Sequence, residues 1–286
     1  MASPNDTAPR LFDLALLRRR QTRAIALGAE TFLADRVADD MAERLHVVTR
    51  KFVGVADIGS PGAALRKPSR DKFDGIRSYV DLPKSDDEPL PLGHASLDLA
   101  VSSLALQFVN DLPGVLAQIQ RALKPDGLFL AAMIGGDTLT ELRQSFAAAE
   151  AEIEGGVSPR VFPFIDLRDA GALLQRAGFA LPVTDVDRIT VRYDNAFALM
   201  HDLRRMGATN IMMERSRKFL RRTTLLRMAD IYREKFSDPD GRIRATFDVV
   251  WLSGWAPHES QQKPLQPGSA KASLADAVSK VRNKDR

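Results

Sequence analysis

Three stretches of this chain are apolar nearly throughout: Phe52 to Ile58, Leu97 to Leu106 and Leu128 to Ile134. A strand of that kind has no polar face to turn to water, so it belongs in a sheet covered by helices on both sides, as parallel sheets are. Between the second and third stretches stand Asn110 and Asp111, then Pro113, then Val115, Leu116, Ile119 and Leu123 on one helical face, then Lys124-Pro125-Asp126-Gly127. Asn110 and Asp111 predict an N-terminal cap, Pro113 fits the first turn, and the Lys-Pro-Asp-Gly run predicts a turn that ends the helix. Strand, helix and strand make a βαβ unit. Ligands of such sheets lie beyond the carboxyl ends of the strands, so chemistry is expected just after Ala56, Ser103 and Met133.

The remaining pattern is mostly helical. Residues 11–46 predict helix, with Leu33, Val37, Met41 and Leu45 four apart on one face. Gly75 to Leu82 predicts a second strand between polar loops at 66–75 and 83–96. Helix is predicted from Thr138, capped by Asp137, to Glu154, and again over 166–177, stopped by Gly178. Pro182 to Val191 predicts a strand, 195–236 a basic helical region, and Ala245 to Ser253 a last apolar strand. Residues 1–10 read as disordered, and the Gln/Pro/Lys/Ser-rich tail from Pro257 as extended, with a short helix near Leu274. The expected organisation is a disordered start and helical segment in 1–50, an α/β core over 51–194, a basic helical cap over 195–244, a core strand at 245–256 and a tail over 257–286.

Composition narrows the classes. The chain has 286 residues, enough for one large core or two modest ones. It has no cysteine, which excludes disulfides, thiolate zinc sites, iron–sulfur clusters and a catalytic thiol, and fits a reducing compartment. A net charge of +4 is too small to argue for nucleic acid. No apolar run approaches the roughly 18 residues of a membrane span. The arginines near the N-terminus come with Asp6, Asp13 and Glu30, unlike a transit peptide. The histidines His46, His94, His201 and His258 are too scattered for a helix-spaced metal pair, so no metal site is expected.

The order of elements from Phe52 to Ser253 resembles the α/β, Rossmann-like class I fold of S-adenosylmethionine (SAM)-dependent methyltransferases. In that likeness Lys124 to Gly127 is the turn before the fifth strand, and Val249 to Ser253 is the final, antiparallel strand. A closer resemblance extends over nearly the whole chain. It is carried by Phe12-Asp13, Arg18-Arg19-Arg20-Gln21, Phe108 to Pro113, Gly135-Gly136-Asp137-Thr138-Leu139, Glu141-Leu142-Arg143, Glu154-Gly155-Gly156, Ser158-Pro159, Arg176 to Phe179, Gly254 to Gln261 and Pro267 to Ala270. Through these segments the chain resembles the methyltransferase-fold assembly factors of respiratory complex I, found in mitochondria and alphaproteobacteria. The resemblance implies S-adenosylmethionine as cofactor and a protein substrate or partner such as a complex I subunit. It also implies a place in the bacterial cytoplasm or on the matrix side of a mitochondrion. The mitochondrial member is described as an arginine hydroxylase, which implies a modification at arginine.

The cofactor motif departs from that resemblance. Methyltransferases place an acid at the end of the first strand and glycines two, four and six places later, because the methionine end of SAM approaches the backbone. Here Asp57 and Gly59 match, Pro61 and Ala63 replace the other glycines, and Gly62 is displaced by one. Pro61 removes an N–H donor and Ala63 adds a Cβ. The resemblance also implies Asp81 as the ribose acid, Asp86 as the acid near the adenine, and Ser103 as a strand-end residue of the same site. Asp81 and Asp86 are five residues apart, too few for the helix and strand that the fold places between them, so one strand of the usual sheet, with its helix, is expected to be missing or replaced. Weak SAM binding, worse than about 100 μM, is the consequence. Gln107-Phe108 stands where the family has His-Trp, which removes a titratable group.

Each candidate has a plainer reading. Asp57 and Gly59 also suit a tight turn, and Asp81 and Asp86-Asp87-Glu88 also suit solvated loops. Ser102 and Ser103 suit strand-end packing better than nucleophilic attack, since no base forms a recognisable motif with them. His258 beside Glu259 is the candidate for general acid–base work, with hydrogen bonds that hold the tail to the fold as the alternative. Arg215, Arg217, Lys218, Arg221 and Arg222, extended by Arg204, Arg205 and Arg227, predict a basic helix face. That face is either solvated or docks on an acidic protein or an anionic membrane surface. Phe219 is the only aromatic within it, which argues against nucleic acid. Three functions stay open: an enzyme of the complex I assembly factor type acting on a protein side chain, a non-catalytic assembly protein whose SAM pocket has decayed, and a small-molecule or carrier-protein O-methyltransferase.

Overall fold

A single sheet organises the molecule, whose computed structural model describes residues 10–61, 65, 78–82 and 89–262. Its strands are Val55–Ile58 (β1), Ser78–Val80 (β2), Leu97–Ser103 (β3), Leu123–Gly135 (β4), Ala180–Tyr193 (β5) and Ile243–Trp255 (β6), in the order β2-β1-β3-β4-β6-β5. The first four run parallel, and β6 lies antiparallel between β4 and β5. Among the described residues β2 is the outer edge, in keeping with the short interval between Asp81 and Asp86. The helices are Leu14–Ala26 (α1), Phe32–His46 (α2), Leu112–Ala122 (α3), Thr140–Glu154 (α4), Leu167–Arg176 (α5), Ala196–Arg205 (α6) and Arg222–Phe236 (α7).

Alternation along β3 and β4 feeds two cores. Leu99, Val101, Leu128 and Leu130 pack with Val37 and Met41 of α2 and Phe146 of α4. Ala100, Phe129 and Ala131 point the other way, to Leu116 and Ile119 of α3 and Leu174 of α5. Burying each large aliphatic or aromatic side chain contributes roughly 1.5–3 kcal/mol, and here both faces of a strand contribute. A third cluster joins Phe12, Leu17, Phe108, Phe162, Ile211 and Met212. Phe162 is its hub, 5.3 Å from Phe12 edge-on and 5.9 Å from Phe108 between ring centroids. It ties the N-terminal segment to the strand-end turn and to the segment after α6.

Local chemistry differs from the sequence expectation at five places. Lys124 to Gly127 does not separate helix from strand: it is a bulge inside β4, where Leu97 pairs with Leu123 and Leu99 with Leu128. Asp111 caps α3 through the Gly114 N–H, but Asn110 does not; its Oδ1 accepts from the Leu11 and Phe12 N–H groups and fixes the N-terminal segment. Asp137 does not cap α4, which starts after Leu139; its carboxylate pairs with Arg188 at 2.9 Å. The helix expected over 11–46 breaks between Ala26 and Phe32, and that over 195–236 breaks between Arg205 and Arg222. Residues 1–9, the loop residues 66–75 and 83–88, and the tail from 263, with its expected helix near Leu274, lie outside the described residues.

A buried carboxylate locks β6 to β4. Asp248, 2 % exposed, accepts from Arg188 at 2.7 and 2.8 Å and from the Asp137 N–H at 3.0 Å. The Thr138 hydroxyl donates to the Gly135 carbonyl and accepts the Asp248 N–H. Gly136 has φ +54 and lies so close that a Cβ would stand 2.7 Å from Asp248 Oδ2. The Gly135-Gly136-Asp137-Thr138 segment is therefore built around this acid. Burial alone would raise the Asp248 carboxyl, but its bonds from Arg188 and the Asp137 N–H outweigh that and hold it below the usual range. A lowered native value means the pair stabilises the fold above about pH 4, and that contribution fades as pH falls through the native value. Asp248→Asn should cost on the order of 2 kcal/mol, mostly from weakened hydrogen bonds because Arg188 is half exposed. Urea melts at pH 7 and pH 3.5 check it: the gap between variant and wild type should shrink at the lower pH.

Candidate functional site

The strand ends gather the predicted acids. β1 ends at Ile58, just after Asp57, which pairs in register with Tyr79 of β2 and Val101 of β3. Asp57 is 2 % exposed and accepts the Ser60 N–H. Gly59 turns with φ +71, and its N–H donates to the Val80 carbonyl at 2.9 Å, so Asp81 follows directly beside it. The Ser60 Oγ accepts the Ser103 N–H at 2.8 Å, and Ser102 donates to the Ile58 carbonyl. Asp57, Gly59, Asp81 and Ser103 thus meet at one end of the parallel strands. Ser102 and Ser103 are placed as strand-end packing. Gly62 and Asp86 lie outside the described residues.

Beside this end lies a cavity of about 290 Å³. Its floor is Gln107 and Phe108 after β3, Ile134 of β4 and the first turns of α4. Phe162 and Phe164 form one side, and Arg20, Met200, Leu203 and the segment 206–210 form the roof. Among the described residues no Asp or Glu lines it. Arg160 there is neutralised by the buried Glu150, at 2.5 Å. Arg20 donates to the Asn210 carbonyl. Burial first, then the cations of Arg215 and Arg23, pull the Arg20 guanidinium below its ordinary value. It stays protonated, as arginines in proteins do. Sequence reasoning noticed Gln107 only as a lost histidine, Arg20 only within a family-like segment and Arg204 only as part of the basic face, and did not find Thr209. They come from three distant segments, and no spacing rule connects them.

Comparison with known proteins bears directly on this arrangement. A methyltransferase domain family matches residues 57–131, from the acid that ends β1 to the middle of β4. The mitochondrial arginine-hydroxylase NDUFAF5 of zebrafish (Danio rerio) is 37% identical over 95% of this chain and 90% of its own length. The human protein of the same name is 39% identical over 97% of this chain and 86% of its own length. The chain belongs to the NDUFAF5 family. A malonyl-[acyl-carrier protein] O-methyltransferase of Laribacter hongkongensis is 43% identical, over 64% of this chain and 59% of its own. A solved N1-methyltransferase of Burkholderia thailandensis covers 90% of this chain and 92% of its own at 15% identity, with a TM-score of 0.47.

The methyltransferase fold implies SAM, and the described part of the turn that would hold it is tightly packed. A Cβ at Gly59 would stand 2.6 Å from Leu82 Cγ and 3.3 Å from Ala105 Cβ, so this position admits no side chain. The Tyr79 hydroxyl donates to the Ser60 carbonyl and closes the turn further. The donors and acceptors of this end are largely spent on one another.

Two other expectations change. β6 runs antiparallel, so Trp255 pairs with Leu128 near the start of β4, and the chain after it leaves at the end opposite Asp57. His258 and Glu259 are exposed at that far end, away from the strand-end site and the cavity. The His258 ring meets Ser260, two residues on, and not the body of the fold. Gln261 is what holds the segment: its Nε2 donates to Asp126 Oδ1 at 3.1 Å and to the Ala256 carbonyl at 2.8 Å. The basic segment is not a helix before Arg222. Arg215 turns inward to Asp13 and the Met212 carbonyl, while Arg217, Lys218, Arg221 and Arg222 are exposed around a fully exposed Phe219. Among the described residues no helix is long and apolar enough to cross a membrane, and no group of three or more His, Asp or Glu is placed to hold a metal ion. If Leu82 closes the cofactor cradle, Leu82→Ala should tighten SAM binding about threefold or more, about 0.6 kcal/mol. Calorimetry checks this, and unchanged affinity clears Leu82 of that role.

Proposed function

We propose that this protein serves a protein partner of the respiratory chain, a complex I subunit, modifying or chaperoning it rather than turning over a free metabolite. The observation that carries this reading is likeness to the NDUFAF5 proteins along nearly the whole chain, cap included, where the likeness to the carrier-protein methyltransferase covers 64%. The segments outside the general methyltransferase pattern have jobs in the fold. Phe12 anchors the roof cluster, Gly135 to Thr138 holds Asp248, and Glu154 accepts from Thr224 of α7. The partner meets the exposed cations Arg217, Lys218, Arg221 and Arg222, with Phe219 among them, in the bacterial cytoplasm or on the matrix side of a mitochondrion.

SAM is the cofactor the fold implies, and Asp57, Gly59, Gly62, Asp81, Asp86 and Ser103 are the residues we assign to it. Pro61 and Ala63 in place of two glycines of that turn support weak binding, with a dissociation constant above about 100 μM; a value below about 10 μM, −6.8 kcal/mol, would show that these departures are tolerated. His258 and Glu259 carry no catalytic role in this proposal.

The proposal is tested by mass spectrometry of respiratory-chain subunits from cells with and without the protein. Loss of an oxygen or methyl group from one subunit side chain supports modification. Failed assembly with unchanged side chains supports chaperoning. Normal assembly with unchanged subunits overturns both. Reversal of Arg217, Lys218, Arg221 and Arg222 to Glu should abolish partner binding without changing the melting temperature. Wild-type binding should weaken as the Debye length falls from about 10 Å to 3 Å.

A further inference from the structure

The cavity under the cap is mostly apolar yet keeps polar atoms unpaired. Gln107 is 8 % exposed, and its Nε2 donates to the Leu104 carbonyl at 2.8 Å. That bond fixes the amide and leaves Oε1 buried without a partner. The Thr209 hydroxyl, on the opposite wall, is buried and unpartnered as well. Buried polar atoms are nearly always satisfied, so two on one cavity point to something from outside the chain that satisfies them. The charge on the walls says what. Among the described residues neither Arg20 nor Arg204 has a carboxylate within 4.0 Å, and the lining contains none; Asp13, the acid that acts on Arg20 from beyond that distance, is itself paired with Arg215, so two guanidiniums line an apolar space without a direct ion-pair partner. Arg20 spends one donor on Asn210 and keeps the others.

We propose that this cavity binds an amphipathic carboxylic acid. Its carboxylate lies between Arg20 and Arg204, its apolar chain or ring lies against Phe108, Leu142 and Phe162, and a polar substituent on it meets Gln107 and Thr209. Guanidinium groups bind carboxylates through paired, charge-assisted hydrogen bonds. A volume of about 290 Å³ sits at the small end of the pockets that hold small molecules, roughly 300–1,000 Å³. The inference rests on the cavity alone, without the SAM site or a partner protein, so it stands or falls separately from the proposed function.

The test is calorimetric titration of the full chain with octanoate, octylamine and octanol, three probes of one chain length and different heads. Octanoate should bind on the order of tenfold tighter than octylamine, a difference of about 1.4 kcal/mol. Arg204→Gln, at an exposed position, should fold normally and weaken octanoate about fivefold while leaving octanol unchanged. Arg204→Glu should reverse the preference towards octylamine. Arg20→Gln should act like Arg204→Gln, and if it fails to fold, the Arg204 pair decides the matter. Equal binding of octanoate and octylamine, no octanoate binding up to about 10 mM, or an Arg204→Glu variant with unchanged preference would each overturn the proposal.

Discussion

Burial of the central strands on both faces is the constraint from which the rest of the molecule follows. β1, β3 and β4 are buried on both faces over most of their length, so polar side chains gather at strand ends, at the edge strand β5, or inside the fold where hydrogen bonds hold most of them. Asp57, Ser102 and Ser103 collect at the ends for that reason, each spent on a neighbouring backbone group or hydroxyl. β5, an edge strand, alternates between half-buried and exposed residues instead, and its Arg188 reaches back to Asp248.

The inserted strand β6 sets the second level of organisation. Running antiparallel, it sends the chain after Trp255 away from the strand-end site and leaves Gln261, not His258, as the bond that holds it. It also buries Asp248 between β4 and β5, where a carboxylate needs charge and hydrogen bonds together to be tolerated. Gly136, whose Cβ would crowd that carboxylate, and Thr138, which bridges Gly135 and Asp248, are the side of this arrangement visible in the chain as a family-specific segment. Glu150 follows the same rule on α4, accepting from Ser158 and Arg160.

Above the strand ends the molecule has two adjoining regions of opposite character. The described start of the turn after β1, Gly59 and Ser60, is packed against Leu82 and Ala105 and bonded by Tyr79. The neighbouring space, two residues beyond Ala105 at Gln107, stays open, because the aromatic cluster of Phe12, Phe108 and Phe162 props α1 and the segment after α6 above it.

The sequence by itself determined the layers and the parallel strands, because continuous apolar runs, Asp111 before a helix and the length of each segment are local properties that fix burial and connection; the antiparallel last strand was implied only by the likeness to the methyltransferase fold. It also placed Asp57, Gly59, Asp81 and Ser103 at strand ends, since a strand end is a place on the chain. Tertiary structure alone decided which polar groups face one another. Asn110 reads as a cap but clamps Phe12, Asp137 reads as a cap but pairs with Arg188, and Arg215 reads as surface but bonds Asp13. The cavity was beyond reach for the same reason. Arg20, Gln107, Arg204 and Thr209 come from segments as much as 189 positions apart in the numbering, and hydrogen bonding and charge act through space, where sequence distance has no meaning.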